Sequence, residues 1–132
     1  MILNNLYLFK RNDAGMELPV PEEQKKTAEK KDDVIYCKAC GNRICTEQDR
    51  ITINDAHIHT CSNPSGYVYT FGCFRDAPGC LVLGKATSEH TWFSGYEWCI
   101  SVCNHCNEHM GWIFVNADSF YALITERLTS QH

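Results

Sequence analysis

No stretch of this 132-residue chain approaches the ~20 consecutive apolar residues of a membrane-spanning helix, so no membrane role is expected. Positive charge is not in excess either. Twelve Lys and Arg stand against 16 Asp and Glu, a formal net charge of −4, which argues against nucleic-acid binding driven by phosphate contacts. The apolar opening has no basic segment, is interrupted by Asn4 and Asn5, and is followed by no small-residue cleavage site, so it is not read as a secretory signal. Residues 1–33 contain neither Cys nor Trp. There is no internal repeat beyond a recurring Cys-x-x-Cys pair, and the length suits one domain and is short for two.

Cysteine, by contrast, is abundant, with nine residues. Cys37 and Cys40 form one Cys-x-x-Cys pair, and Cys103 and Cys106 form another. Cys45, Cys61, Cys73, Cys80 and Cys99 follow no framework and read as small buried hydrophobes. An odd total cannot be fully paired in disulfides within one chain. With no secretory signal, this predicts a reducing compartment and a cytoplasmic location.

Two widely separated Cys-x-x-Cys pairs are a recurrent arrangement for one tetrahedral Zn²⁺ held by four thiolates. An iron–sulfur cluster usually draws on more closely spaced cysteines. Four thiolates close the coordination shell, so Cys37, Cys40, Cys103 and Cys106 are expected to hold one structural zinc per chain. His105 and His109 flank the second pair but are surplus to that ligand set. His57 and His59 read as surface or core residues.

The composition changes near residue 34. Before it lie 13 charged residues, seven acidic and six basic, which read as a solvated extension with a short apolar piece at residues 2–9. After it, short alternating segments predominate. A strand runs into the first knuckle, whose turn uses Gly41. Residues 50–55, RITIND, alternate and predict a strand, as do residues 67–71, YVYTF. Asn63-Pro64-Ser65-Gly66 and residues 75–79 are turn signals, and CLVLG from Cys80 reads as a short buried strand. Trp98, Ile100 and Val102 alternate up to Cys103. A turn is expected at Gly111, with Trp112 and Phe114 on one face beyond it. The tail around residues 118–128 fits either a strand or a helix, with a strand and a helical finish favoured. Residues 34–132 thus read as one all-β domain of short antiparallel strands.

All three tryptophans fall between residues 92 and 112. They are the largest apolar groups available for a core. Each also lies beside turn or knuckle residues, near Ser94-Gly95 or Gly111, which places them where a pocket can open. Aromatic walls with a few backbone donors and acceptors suit a small flat polar ring, or a methylated ammonium held by cation–π contact with Glu89 or Glu97 nearby. Core and pocket both remain open at this point.

From residue 35 to about residue 128, the chain resembles the CULT domain, the C-terminal module of cereblon that also occurs as free-standing bacterial proteins. The matching residues are Cys37-x-x-Cys40, Asn63-Pro64-x-Gly66, Gly72-Cys73-Phe74, His90-Thr91-Trp92-Phe93-x-Gly95-Tyr96-x-Trp98, Cys103-x-x-Cys106 and Gly111-Trp112-x-Phe114. The resemblance implies a β-tent, two small antiparallel sheets at a steep angle pinned by zinc. It implies a cage of Trp92, Trp98 and Trp112 with Phe114 at its base, His90 and Trp92 offering backbone groups, and Asn63 and Pro64 at the rim. It also implies a ligand class: cyclic imides such as glutarimide, the shared part of thalidomide-type drugs, uracil-like rings, and peptides bearing a C-terminal cyclic imide. No Lon-like or adaptor-binding portion is expected here, so no ubiquitin-ligase adaptor is expected as a partner.

The run Cys103-x-x-Cys106-x-x-His109-Met110-Gly111-x-x-Phe114 is also similar to zinc-bearing methionine-R-sulfoxide reductases. Those enzymes need a nucleophilic cysteine well beyond the second knuckle, and no cysteine follows Cys106. Binding without catalysis is therefore expected.

Overall fold

The computed structural model describes residues 33–131. The expected charged extension, apart from Asp33, and the apolar piece at residues 2–9 lie outside the described residues. The domain is all-β, and among the described residues the only helical elements are 3-10 turns. β1 (Val34–Cys37), β2 (Arg43–Thr46) and β9 (Leu128–Thr129) form one antiparallel sheet in the order β2-β1-β9. β3 (Ile58–Ser62), β4 (Val68–Phe74), β5 (Cys80–Thr87), β6 (Glu97–Cys103), β7 (His109–Val115) and β8 (Ser119–Ile124) form a second, in the order β3-β4-β8-β7-β6-β5. The ambiguous tail is strand β8, then a 3-10 turn, Thr125–Arg127, that carries the chain from the large sheet into β9 of the small one.

Direct partners in an antiparallel ladder share a face. Trp98 pairs with Phe114 and Phe114 with Phe120, while Ile100 pairs with Trp112 and Trp112 with Ala122. That front face carries an aromatic core in which Phe71, Phe114 and Phe120 are buried, with Phe93 closing over them from the β5–β6 loop. The back face packs Phe74, Met110 and Leu123 against Ile35 and Ile44 of the small sheet. The large sheet therefore stands between two cores, one shared with the small sheet and one its own.

Met110 and Trp112 are two residues apart on one strand, yet they belong to opposite cores. The register explains this. Ser101 pairs with Gly111 and Val102 with His109, so Met110 is an extra, unpaired residue in β7, a β-bulge. Gly111 follows at φ 154°, and a Cβ there would sit 1.9 Å from the carbonyl oxygen of Ala122. The turn expected at Gly111 is therefore a bulge inside a strand. The reversal comes earlier, at Asn107, where φ is 66°. We expect Gly111→Ala to cost at least ~2 kcal/mol, since backbone must move to admit the methyl group. An unshifted urea midpoint in the zinc-loaded variant would show that the close approach is not required.

Two further strand readings are corrected. Residues 50–55 do not form a strand. Asn54 and Asp55 adopt φ of 51° and 70°, and Ile53 and Ala56 close on each other by reciprocal backbone hydrogen bonds. The edge of β4 is already paired to β3 from Val68 to Gly72, leaving only its far end, where Arg50 bridges Phe74 and the Ile51 N–H donates to the Cys73 carbonyl. CLVLG is neither short nor buried. β5 runs to Thr87 at the sheet edge, with Leu81, Val82 and Leu83 each close to half exposed.

Candidate functional site

The two knuckles are built alike. In the first, the Gly41 N–H donates to the Cys37 carbonyl at 2.7 Å and the Cys37 N–H to the Asn42 carbonyl at 2.7 Å. In the second, the Asn107 N–H donates to the Cys103 carbonyl at 2.9 Å and the Cys103 N–H to the Glu108 carbonyl at 2.8 Å. The residue after each pair needs positive φ, 79° at Gly41 and 66° at Asn107. Asn tolerates that region second best to Gly. Asn42 ties the knuckles together, its side-chain N–H₂ donating to Asn104 Oδ1 at 2.9 Å.

The sulfurs of Cys37, Cys40, Cys103 and Cys106 all lie within 4.8 Å of one another. Cys37 to Cys106 is 3.7 Å and Cys40 to Cys103 is 3.6 Å. Zn–S bonds of ~2.3 Å in a tetrahedron require S···S edges of about 3.8 Å, so the donor set fits one zinc. Burial pushes the Cys37 thiol up to about 12 and raises that of Cys40. Burial also opposes ionisation of Cys103, but the N–H groups of Cys106 and His105, with Cys40 and Asn42, together outweigh it and bring that thiol down to about 7. Four thiolates at this spacing need a cation to neutralise them. His105 is exposed and His109 faces elsewhere, so neither belongs to the cluster.

The remaining five cysteines are free thiols. Burial raises Cys45 and Cys61, and pushes Cys73 and Cys80 up to about 12, so these thiols stay protonated and poorly nucleophilic at neutral pH. We expect Cys73→Ala to cost about 1 kcal/mol of stability and leave ligand binding intact. Loss of binding on adding reductant, with zinc retained, would instead reveal a disulfide.

On the front face, at the end of β5 and β6 away from the knuckle, lies a cavity of about 390 Å³. Asn63, Pro64, His90, Trp92, Trp98, Trp112 and Phe114, the seven residues singled out in the sequence, all line it. Phe114 is 1% exposed and Trp112 7%, so these two are floor and inner wall, and also core. Trp92 stacks on Phe71 at 5.5 Å and meets Trp112 edge-on at 4.8 Å. Its indole N–H donates to the Ser62 carbonyl at 3.0 Å, and that of Trp98 donates to the Glu89 carbonyl at 2.8 Å. Two walls are thus latched to different elements, one to the end of β3 and one to the β5–β6 loop.

His90 has φ 58°. Among the described residues, neither the N–H nor the C=O of His90 or Trp92 makes a hydrogen bond. Asn63 Oδ1 accepts from the Tyr67 N–H at 2.9 Å, fixing the turn that carries Pro64.

Glu89, one of the two carboxylates named beside the tryptophans, also lines the cavity, as do Tyr69, Ile100 and His109, which were not foreseen as lining residues. Ile100 was within reach, since it alternates with Trp98. His109 reaches the front face only because the bulge follows it. Its ring meets Trp112 edge-on at 5.0 Å, its Nε2–H donates to the Gly111 carbonyl oxygen 3.0 Å away, and burial lowers its pKa. Glu97 is absent from the lining.

A small all-β domain with a four-cysteine cluster at one end of its hairpins and a tryptophan-walled cavity at the other is the arrangement expected of a cereblon-like CULT domain. Comparison with known proteins agrees. No family model matches the chain. The chain is 32% identical over 82 residues to protein cereblon of Danio rerio, covering 61% of this chain and 19% of that protein. It is 40% identical over 86 residues to protein cereblon of Gallus gallus, covering 61% and 18%, and 31% identical over 88 residues to that of Drosophila willistoni, covering 64% and 14%. The chain thus spans less than a fifth of the length of these relatives, and carries a cereblon-like CULT domain.

Proposed function

We propose that this domain is a non-catalytic recognition module that binds cyclic imides, glutarimide above all, together with uracil-like rings and peptides ending in a cyclic imide. The observation that carries this reading is the pairing of indole walls with unpartnered backbone groups at His90 and Trp92. An imide has one N–H between two carbonyls. Its ring lies flat against indole while its polar edge meets those backbone donors and acceptors. Among the lining residues there is no Ser, Thr or Cys, which supports binding over acyl or thiol chemistry. Turnover of a methionine-R-sulfoxide peptide by the metal-loaded protein with dithiothreitol as reductant, above the rate of dithiothreitol alone, would overturn the non-catalytic reading.

The test is titration of zinc-loaded protein with glutarimide and uracil, followed by tryptophan fluorescence. Saturable change is expected for both. A folded, zinc-loaded protein that responds to neither ends the reading. One observation favours a second guest: the carboxylate-bearing Glu89 lines the cavity, as a cage for a methylated ammonium would use. Trimethyl-lysine displacing glutarimide would support that guest.

A further inference from the structure

The cavity is larger than one ring requires. About 390 Å³ falls in the range that takes drug-sized ligands, so a six-membered imide fills only part of it. One lining residue also leads out of the cavity. Ile100 is 40% exposed, and its direct partner across the β5–β6 ladder is Leu83, 50% exposed. Leu81, two residues back on the same face of β5, is 49% exposed. An apolar strip therefore continues from the cavity wall to the edge of the sheet.

That edge is open. β5 ends the order of the large sheet, and among the described residues no strand pairs with its outer side. Edge strands are usually blunted by charge, proline or a bulge. Cys80–Leu83 has none of these. Lys85 and the irregularity between Leu83 and Thr87 come after it. Within that irregularity Gly84 carries no side chain, and nothing lies within 4 Å of where its Cβ would stand. The opposite edge, β3, differs: its front-face residues His59 and Cys61 are part-buried, and the exposed Ile58 faces the back.

We propose that the cage takes the terminal ring of an extended peptide, whose preceding residues add a strand to the open edge of β5 and set alternate apolar side chains on Leu83 and Leu81. This rests on the imide reading above. Thr87 pairs with Trp98, and Glu89 and His90 line the cavity, so the cavity lies at the C-terminal end of β5. A peptide with its ring at the C-terminus then runs parallel to β5, with backbone hydrogen bonds giving affinity and alternate side chains giving specificity.

The test uses calorimetry on the zinc-loaded full chain with two probes. One is N-acetyl-aminoglutarimide. The other is a six-residue acetylated peptide with Val at alternate positions, ending in the same ring. The peptide is expected to bind at least about tenfold tighter than the ring alone. Leu83→Lys and Leu81→Lys should each remove most of that gain and leave the affinity for the ring unchanged. N-methylation of alternate peptide amides should remove it with the protein untouched. A peptide no tighter than the ring overturns the proposal and leaves the cage reading standing. So does a gain indifferent to both substitutions and to N-methylation, or self-association of the free protein that Leu83→Lys abolishes, since a second copy then occupies the edge. If neither probe binds folded protein, the cage reading fails and this proposal fails with it.

Discussion

Chelating the zinc should leave no folded domain. Structural zinc bound by cysteines contributes about 10–16 kcal/mol of apparent binding free energy at neutral pH, against the ~5–15 kcal/mol of total stability typical of a domain. The metal term is therefore as large as the whole margin. The ligands explain why nothing compensates for its loss. Cys37 and Cys103 are fully buried at the heart of the back core, beside Ile35, Ile44 and Met110, and the β1 and β6 ends that carry them share no strand ladder. Cys37→Ser should abolish stoichiometric zinc and the cooperative melt together.

The pH dependence has a definite sign. Zinc requires thiolates, so protons compete with the metal, and stability at fixed free zinc should fall as pH is lowered. Without metal the thiols pull in opposite directions, Cys103 down to about 7 and Cys37 up to about 12, so the sign comes from the competition of protons with zinc and should be lost with chelator. Circular-dichroism melts with and without chelator, repeated between pH 8 and pH 5.5, check both statements. A chain that melts identically with and without metal rules out the structural role.

The second large effect concerns the cage. Trp98→Ala should weaken imide binding by about 30-fold or more, the ~2 kcal/mol typical of a central aromatic, with zinc retained and little change in melting. Trp98 is half-buried and contributes only at the margin of the front core. Trp112 differs. At 7% exposure, with ring contacts to Tyr69, Phe71, Trp92 and His109, its truncation to Ala should cost ~3–5 kcal/mol of stability. Its role in binding is better read from Trp112→Phe, which should bind more weakly and stay folded. Trp92, stacked on Phe71, should fall between. If Trp98→Ala binds glutarimide at wild-type strength, or if it unfolds the domain, the cavity is not the ligand site.

Much of this was legible in the sequence because the signals are local. Cys-x-x-Cys spacing determines a knuckle within four residues, and Gly41 marks its turn. Alternation identified β4 and β6, and the tryptophan clustering pointed to one end of the sheet. What escaped is what depends on partners distant in sequence. Residues 50–55 alternate like a strand, but an edge already taken by β3 leaves them nothing to pair with. The residues of β5 have the composition of a buried strand and lie at an edge, because position within a sheet leaves no trace in a strand's own sequence. His109 looked like a spare metal ligand, and only the register of β7 against β6 turns it toward the cavity.

The bulge at Met110 has a consequence for comparing sequences across such domains. A strand is written in a two-letter frame, front and back, and the extra residue works as a frameshift: everything before it is read in one frame and everything after in the other. Deleting Met110 would restore a single frame. Either Trp112 would then leave the cavity or Cys106 would leave the metal, whichever end held its place. The number of residues between the last cysteine and the indole should therefore be more tightly constrained than their identities. A gap placed there in an alignment signals a domain that has kept the metal and lost the pocket, or the reverse.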